Sequence, residues 1–300
     1  MAAYKNIAIF GASGNVGKII LDGLVTSSKF NITVLQRQES KATFGTGIDV
    51  RKTDFSDKDL ENALKGQDAV ISALGAAAFG EQKKIVDAAV RAGVKRFLPS
   101  EFSASIEDDT VLQLLPLFTQ KKEIIQYLKT KQSEGFSWTG LATSGLFDWG
   151  LSSGFLGFDI AQRTATIWDG GNKTFTLTNE KQLGQAVVSV LEHPEETSNR
   201  YLYVYSVKTS QSEILAALEE ETAARWTINA VTTEEQVSEA GKKLGAGDFE
   251  GAFILVRATV FGNVSGLRSD YTKEANLANE VLGLSTETVQ DVVKRVVAST

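Results

Sequence analysis

Short apolar runs alternate with longer amphipathic stretches along the first half of the chain. The short runs are typical of buried β-strands, and they lie at residues 6–10, 32–35, 50–53, 69–74, 96–99 and 137–142. The amphipathic stretches predict helices at residues 15–24, 57–64, 81–92 and 116–131. Strands that are apolar on both faces and alternate with helices indicate a parallel sheet covered on both sides. The predicted fold class is therefore α/β, with a doubly wound parallel sheet.

The pattern changes beyond about residue 150. Two β-like runs, at residues 164–168 and 173–178, flank Asp169-Gly170-Gly171, a turn sequence that predicts a β-hairpin. Further helices are predicted at residues 182–191, 211–222, 233–241 and 286–297. We therefore expect residues 1–155 to form the sheet domain and residues 156–300 to form a smaller α/β substrate-binding domain. Residues of about 178–192 are expected to return to the first domain.

Composition narrows the possible chemistry. The chain has no cysteine, which excludes thiol nucleophiles, cysteine-ligated metal sites and disulfides. The one histidine, His193, lies in a polar segment before Pro194, so we expect it to be exposed and inert and predict no metal site. The 31 basic residues are scattered among 37 acidic ones, for a net charge of −6, which argues against a nucleic-acid partner. Without a leader-like or membrane-length apolar segment, a cytoplasmic protein with no membrane association is expected.

Three glycines at a characteristic spacing follow the first predicted strand. In Gly11-Ala-Ser-Gly14-Asn-Val-Gly17 the glycines permit a tight turn, a close backbone approach to phosphates and close packing of helix on strand. The N-terminus of the following helix would supply free N–H groups to the pyrophosphate. An ordinary glycine-rich turn has the same spacing, but the position between strand and helix favours a dinucleotide site. Its predicted contacts are Gly11, Ser13, Gly14, Asn15, Val16 and Gly17.

The end of the second predicted strand bears on which nicotinamide dinucleotide is bound. NAD sites usually carry an acidic residue there, whereas this strand ends in Gln36-Arg37-Gln38 with Lys41 close behind. A guanidinium at this place can stack on adenine and hold a 2′-phosphate. The alternative is a solvated loop arginine. We predict NADPH as the cofactor, with Arg37 and Lys41 as contacts.

The ends of the fourth and fifth strands supply the other predicted cofactor contacts. Ligands of open α/β sheets bind at the carboxyl edge, where these strands end. The predicted contacts there are Ser72, Leu74, Gly75, Ser100, Glu101 and Phe102. For Glu101 the alternative of a buried side chain that anchors its loop stays equally open.

Several of these segments resemble one known family, the isoflavone reductase-like, NmrA-like branch of atypical short-chain dehydrogenases. Besides the glycine motif and Arg37, residues 95–102 (KRFLPSEF) resemble the family's fifth-strand signature. Phe118-Thr-Gln-Lys121 followed by residues 135–139 is similar to its F-x-x-K…G-x-x-x-T stretch, and residues 276–284 are similar to fungal members. The family's acidic residue before the helix at Gly184 is not matched, since Gln182 stands there. The resemblance implies a Rossmann domain, a small substrate domain and NADPH-dependent reduction of aromatic or conjugated small molecules.

The resemblance aligns Lys121 with the family's catalytic lysine. Lys121 lies in the first turn of a helix that returns from the carboxyl edge, so its ammonium is expected near an oxygen that gains negative charge as hydride arrives. A solvated lysine at a helix start is the alternative, with Lys122 beside it. Tyr127 and Lys131 match the Tyr-x-x-x-Lys pair of ordinary short-chain dehydrogenases, but they lie roughly 9 and 15 Å further along the helix.

Four aromatic residues follow the sheet domain: Phe147, Trp149, Phe155 and Phe158. Together with Phe102 they are predicted to contact an aromatic substrate, and the alternative is that most of them are interdomain core. The leading hypothesis is an NADPH-dependent reductase of an aromatic carbonyl, enone or cyclic ether, acting as a monomer or homodimer. The alternative is a dinucleotide-sensing regulator that binds a protein partner without turnover.

Overall fold

Seven parallel strands form the central sheet of the protein. The computed structural model describes residues 4–133 and 135–299. The strands are β1 (Asn6–Phe10), β2 (Asn31–Arg37), β3 (Asp49–Thr53), β4 (Ala69–Ser72), β5 (Arg96–Leu98), β6 (Ser137–Ala142) and, from the second half of the chain, β11 (Arg200–Tyr203). Their spatial order is β11-β6-β5-β4-β1-β2-β3, and the paired strands are parallel. This topology confirms the predicted doubly wound α/β fold.

Helices cover both faces of this sheet. Those of the first half are α1 (Asn15–Ser27), α2 (Asp57–Leu64), α3 (Gln82–Arg91), α4 (Asp109–Leu114) and α5 (Thr119–Lys131), with short 3-10 turns at Ala76–Glu81 and Pro116–Phe118. The sheet strands are apolar on both faces because each face is buried under helices, as in β1, where Ile7 to Phe10 are fully buried. The sequence prediction missed α4, which is only six residues long.

The remaining elements form two small three-stranded sheets and a set of helices. The strands are β7 (Gly145–Leu146), β8 (Phe158–Asp159), β9 (Thr164–Trp168), β10 (Phe175–Thr178), β12 (Val207–Thr209) and β13 (Thr227–Val231). The helices are α6 (Phe147–Ser152), α7 (Glu180–Glu192), α8 (Gln211–Glu221), α9 (Thr233–Gly245), α10 (Glu250–Phe261) and α11 (Val289–Val297). The sheets have the orders β12-β10-β7 and β13-β9-β8. Helix α10 was not predicted.

The predicted hairpin between residues 164–168 and 173–178 was wrong. Strands β9 and β10 lie in different sheets, where β9 pairs with β13 and β10 pairs with β12 and β7. Asp169 explains the divergence, because its N–H donates to the Val231 carbonyl at 2.9 Å and its carboxylate accepts from the Thr233 N–H at 3.0 Å. The turn is therefore held against the β13–α9 connection, and the chain leaves β9 instead of folding back on it.

Two segments of the second half return to the central sheet. Helix α7 packs along α1, and the two helices meet at glycines: a Cβ added to Gly23 would lie 2.6 Å from the Gly184 Cα. Without side chains at these two positions the helix axes can approach closely. Strand β11 returns as well, pairing with β6, which the sequence prediction missed. Across residues 4–133 and 135–299, no helix has the length and apolar character needed to cross a bilayer.

Candidate functional site

The order of the strands reverses at β1, which lies between β2 and β4. Crossover connections leave in opposite directions on the two sides of such a point, so a crevice opens outside the carboxyl ends of β1 and β4. The structure has a cavity of about 360 Å³ at this place. Of the predicted cofactor residues, it is lined by Gly11, Ser13, Gly14, Arg37, Leu74 and Gly75.

The glycine loop at this crevice is shaped by backbone contacts that leave no room for side chains. Gly11 has a φ of +76°, and a Cβ there would lie 2.3 Å from the Ala73 carbonyl oxygen. A Cβ on Gly17 would lie 2.0 Å from the Gly11 carbonyl oxygen. The Gly14 N–H donates to that same oxygen at 3.0 Å and closes the turn. All three glycines of the motif thus contribute to one compact turn.

Helix α1 begins directly after this turn and has an open N-terminus. Gly14 occupies the N-cap position, where it offers no side-chain cap, and the first turn contains no acidic residue. Unpaired N–H groups and the positive end of the helix dipole therefore face the crevice, which is the arrangement that binds a phosphate group. The cradle fits the pyrophosphate of a dinucleotide. Asn15 and Val16 belong to this first turn.

Arg37 lies at the other end of the cavity. Its guanidinium carbon is 5.9 Å from the centre of the Phe55 ring, a residue in the loop after β3. Phe44 and Glu39 also line this end, whereas Lys41 is exposed and is not among the lining residues. The sequence analysis did not predict Phe55 as a cofactor contact. Its position just after β3, at the carboxyl edge of the sheet, could have indicated it. The two phenylalanines and the guanidinium form flat surfaces suited to stacking on a purine.

Ser72 and Ser100 form the floor between β4 and β5. Their hydroxyl oxygens lie 2.8 Å apart, and the Ser100 hydroxyl oxygen accepts from the Leu74 N–H at 2.9 Å. The Ser100 N–H in turn donates to the Gln82 side-chain oxygen at 2.9 Å. Both serines are buried, so they hold the loop that carries Leu74 and Gly75 and offer little surface to a cofactor. Gln82 was missed because its role appears only when the two strand ends meet.

Lys121 lies in the first turn of α5 and is nearly completely buried, with 4% of its surface exposed. Its Nζ donates to the Glu101 carbonyl oxygen at 2.6 Å and to the Ser103 hydroxyl at 2.7 Å. The ring centres of Phe118 and Phe79 lie 4.4 and 5.2 Å from Nζ. Burial lowers the pKa of Lys121 to about 8, and the charge of Glu101 opposes that shift. The lysine therefore reaches the loop after β5, at the carboxyl edge of the sheet.

Glu101 and Phe102 do not offer the surfaces that were predicted for them. The Glu101 carboxyl is buried and its Oε2 accepts from the Tyr201 hydroxyl at 2.9 Å, so the side chain anchors its loop to β11. Phe102 adopts a φ of +29°, an uncommon conformation for a residue other than glycine, and its ring is 7% exposed. The loop-anchor alternative for Glu101 fits this geometry better than a cofactor contact does.

The rival groups point away from this site. Lys122 is bound to Asp109 at 3.1 Å on the surface. The Tyr127 hydroxyl donates to Asp87 at 2.7 Å and Lys131 pairs with the same carboxylate at 2.7 Å, so both side chains face α3. His193 was expected to be exposed but is half-buried, because its Nδ1 packs 2.9 Å from the Ser189 carbonyl at the end of α7.

The four predicted substrate aromatics divide into two pairs. Phe147 and Phe158 are fully buried in the hydrophobic core, so they have no surface to present to a substrate. Trp149 and Phe155 are half-buried and in contact, with ring centres 5.2 Å apart. Phe253 of α10, which was not predicted, extends this group with its ring 5.9 Å from Phe155. Of the two pairs, only Trp149 and Phe155 have exposed side-chain surface.

Comparison with known proteins agrees with the fold and the motifs. Residues 3–247 match the NmrA-like family. The chain is 36% identical to the oxidoreductase aprR of Aspergillus flavus over 290 residues, covering 96% of this chain and 97% of that protein. It is 32% identical to the oxidoreductase poxI of Penicillium oxalicum, covering 95% of this chain and 91% of that protein.

The fold also matches that of a solved plant reductase. The structure of leucoanthocyanidin reductase with NADPH from Vitis vinifera superposes with a TM-score of 0.80 at 17% identity, covering 98% of this chain and 99% of that one. The family match extends over most of the chain, and it includes the glycine cradle, Arg37 and Lys121. This protein is a member of the NmrA-like family.

Proposed function

We propose that this protein is an NADPH-dependent oxidoreductase that reduces a small aromatic metabolite. The observation that carries the proposal is the position of the Lys121 ammonium. It extends from α5, is buried and is hydrogen-bonded to the loop after β5, at the same carboxyl edge of the sheet as the open dinucleotide cradle. Relatives that cover nearly the whole chain are oxidoreductases, which supports redox chemistry for this member too.

Different residues of the crevice would bind different parts of NADPH. The N-terminus of α1 and the turn from Gly11 to Gly14 would hold the pyrophosphate. Arg37 would hold the 2′-phosphate, and Phe55 would support the adenine. When bound, NADPH supplies a hydride. Leu74 and Gly75 line the cavity on the side of β4 and would contact the central part of the dinucleotide.

Lys121 would stabilise the oxygen atom of the substrate. An ammonium that is shielded from water interacts strongly with a developing negative charge, because little solvent screens it. A pKa of about 8 leaves most of the amine protonated at neutral pH and makes it a better proton donor than an ordinary lysine. The Ser103 hydroxyl and the Glu101 carbonyl fix the direction of Nζ.

An aromatic substrate is favoured by the aromatic surface that begins at Trp149. The N–H groups of Thr143 and Ser144, just before β7 and α6, both donate to the Ser103 carbonyl at 3.1 Å. The segment that carries Trp149 is thus tied to the loop that holds Lys121. Phe155 and Phe253 continue the aromatic surface from Trp149. A similar chemistry is named for relatives such as phenylcoumaran benzylic ether reductase 1 of Arabidopsis thaliana, which is 26% identical over 223 residues.

A screen of NADPH oxidation against aromatic ketones, enones and cyclic benzylic ethers tests the function. We expect turnover with at least one of these classes and slower turnover with aliphatic compounds of equal size, because only the former can pack against Trp149 and Phe155. Trp149→Ala should raise KM for the aromatic substrate. Tight NADPH binding without turnover across the whole panel would contradict a reductase and favour the dinucleotide-sensing regulator.

Arg37→Ala is expected to weaken NADPH binding by about 10- to 100-fold and to change NADH binding little. The guanidinium would make charge-assisted hydrogen bonds only to the 2′-phosphate, which NADH lacks. Isothermal titration with both nucleotides measures the difference. Arg51→Ala is the matched control, because that guanidinium on β3 is already bound to Asp49 and the Ala63 carbonyl. Equal losses for the two nucleotides would contradict the role given to Arg37.

A further inference from the structure

The Lys121 ammonium lies in the same buried region as a carboxyl group that it does not contact directly. Nζ is bound to the backbone oxygen of Glu101, while the carboxyl of the same residue turns to the Tyr201 hydroxyl. Glu101 is 2% exposed, and its Oε1 has no hydrogen-bond partner among residues 4–133 and 135–299. A buried carboxyl with one unpartnered oxygen is costly unless it has a use. Besides the hydrogen bond from Tyr201, the nearby Lys121 ammonium compensates for the burial of this carboxyl.

Few other charged groups face this pair. Burial raises the pKa of Glu101, while the Lys121 charge and the Tyr201 hydrogen bond lower it and Glu107, before α4, raises it further. In α5, the helix that carries Lys121, the neighbouring cation is Lys122, which forms an ion pair with Asp109. Tyr201 on β11 also accepts from the Ile106 N–H at 3.2 Å, so its hydroxyl is held from two sides. Glu101 is therefore the acidic group that opposes the effect of burial on the pKa of Lys121.

We propose that Glu101 and Tyr201 are positioning residues for Lys121: Tyr201 holds the Glu101 carboxyl in the interior, and the carboxylate keeps the buried amine in its cationic form. The inference rests on the proposed role of Lys121 and deepens it. The same residue serves the lysine twice, since its carbonyl fixes the direction of Nζ and its carboxylate supplies the counter-charge. Neither Glu101 nor Tyr201 needs to touch the substrate for this.

An NMR titration of the full chain with carbon-13-labelled lysine from pH 6 to 10, without cofactor or substrate, tests the proposal. The Cε chemical shift of each lysine changes when its amine loses a proton, so the midpoint of the Lys121 signal, assigned with Lys121→Met, reports its protonation even though the side chain is buried. We expect a midpoint near pH 8 in the wild type, as its pKa of about 8 requires. Glu101→Gln should lower that midpoint by roughly 1 pH unit, because removing the opposite charge favours the neutral amine.

Two further variants and an internal control complete the experiment. Tyr201→Phe should lower the midpoint in the same direction, because a carboxyl without its donor is more readily protonated and loses its charge. Glu101→Asp keeps the charge and should restore a midpoint close to that of the wild type. The Lys122 signal in the same spectra reports any general effect of the substitutions. An unchanged Lys121 midpoint in both Glu101→Gln and Tyr201→Phe would overturn the proposal.

The readout is independent of turnover, so it separates this inference from the reductase proposal. A shifted midpoint together with unaltered NADPH oxidation would support the positioning of Lys121 and remove the lysine from the chemistry. If turnover is found, the falling alkaline limb of its pH profile should move to lower pH in Glu101→Gln by the same amount as the Lys121 midpoint. A limb that stays in place while the midpoint moves would assign the limb to another group.

Discussion

Lys121→Met is expected to reduce kcat for NADPH oxidation by about 10²- to 10⁴-fold while leaving the affinity for NADPH nearly unchanged. Methionine fills the space between the Phe118 and Phe79 rings but cannot donate a proton or stabilise an oxyanion. The substitution removes a buried charge but leaves the Glu101 carbonyl and the Ser103 hydroxyl without their donor, so the Tm of the variant is measured to show that it is folded. Steady-state kinetics and a nucleotide titration on the same preparation measure both quantities.

Lys122→Met is the matched control for this prediction. The two lysines are neighbours in α5, but Lys122 reaches the surface and pairs with Asp109. It should therefore keep wild-type turnover. If Lys121→Met retained kcat within about twofold of the wild type, general acid catalysis by Lys121 would be excluded, since such groups contribute far more than that.

Gly17→Ala is expected to destabilise the protein and abolish NADPH binding. The new Cβ would lie 2.0 Å from the Gly11 carbonyl oxygen, which belongs to the backbone and cannot rotate away. Overpacking of this kind costs about 3 kcal/mol, which corresponds to a fall in Tm of roughly 5 °C or more. Any relaxation must displace the turn from Gly11 to Gly14, so the pyrophosphate cradle is lost together with stability. Thermal unfolding with and without NADPH measures both effects.

Gly80→Ala is the matched control, because it replaces a glycine with alanine without creating a steric clash. Gly80 is exposed, and a Cβ there would meet nothing within 4 Å. This variant should keep its Tm and its stabilisation by NADPH. A Gly17→Ala protein with wild-type Tm that still gained stability from NADPH would show that helix α1 can shift without damage to the cradle, contrary to the packing of Gly17 on Gly11.

The sequence was sufficient to predict those strands and helices whose pattern of apolar residues lies within a single segment. The apolar runs at Asn6–Phe10 and Ser137–Ala142 and the helix at Asp57–Leu64 were predicted to the residue, because burial on both faces and helical periodicity leave a mark on each segment by itself. The glycine motif belongs to the same class. Its three glycines serve one turn within seven residues, so spacing and position sufficed to predict the crevice.

Contacts between segments that are distant in sequence could not be predicted from the pattern within each segment. The turn at Asp169 reads as a hairpin, and only its hydrogen bonds to the β13–α9 connection, more than sixty residues later, separate β9 from β10. Likewise, nothing in the segment Arg200–Tyr203 shows that it pairs with β6. Where several partners satisfy the same local pattern, the packing of the whole chain selects one.

In the candidate site too, some features could be predicted from the sequence and others depended on the tertiary structure. The role of Lys121 was predicted from the resemblance of Phe118-Thr-Gln-Lys121 to the family motif and from its place in the first turn of a helix that returns from the carboxyl edge. The sequence left Glu101 open between a cofactor contact and a loop anchor, and left the aromatics open between substrate wall and core. The tertiary structure placed the Glu101 carboxyl on Tyr201 and buried Phe147 and Phe158. The direction of a side chain depends on neighbours from other elements, and those neighbours are set only when β11 joins the sheet.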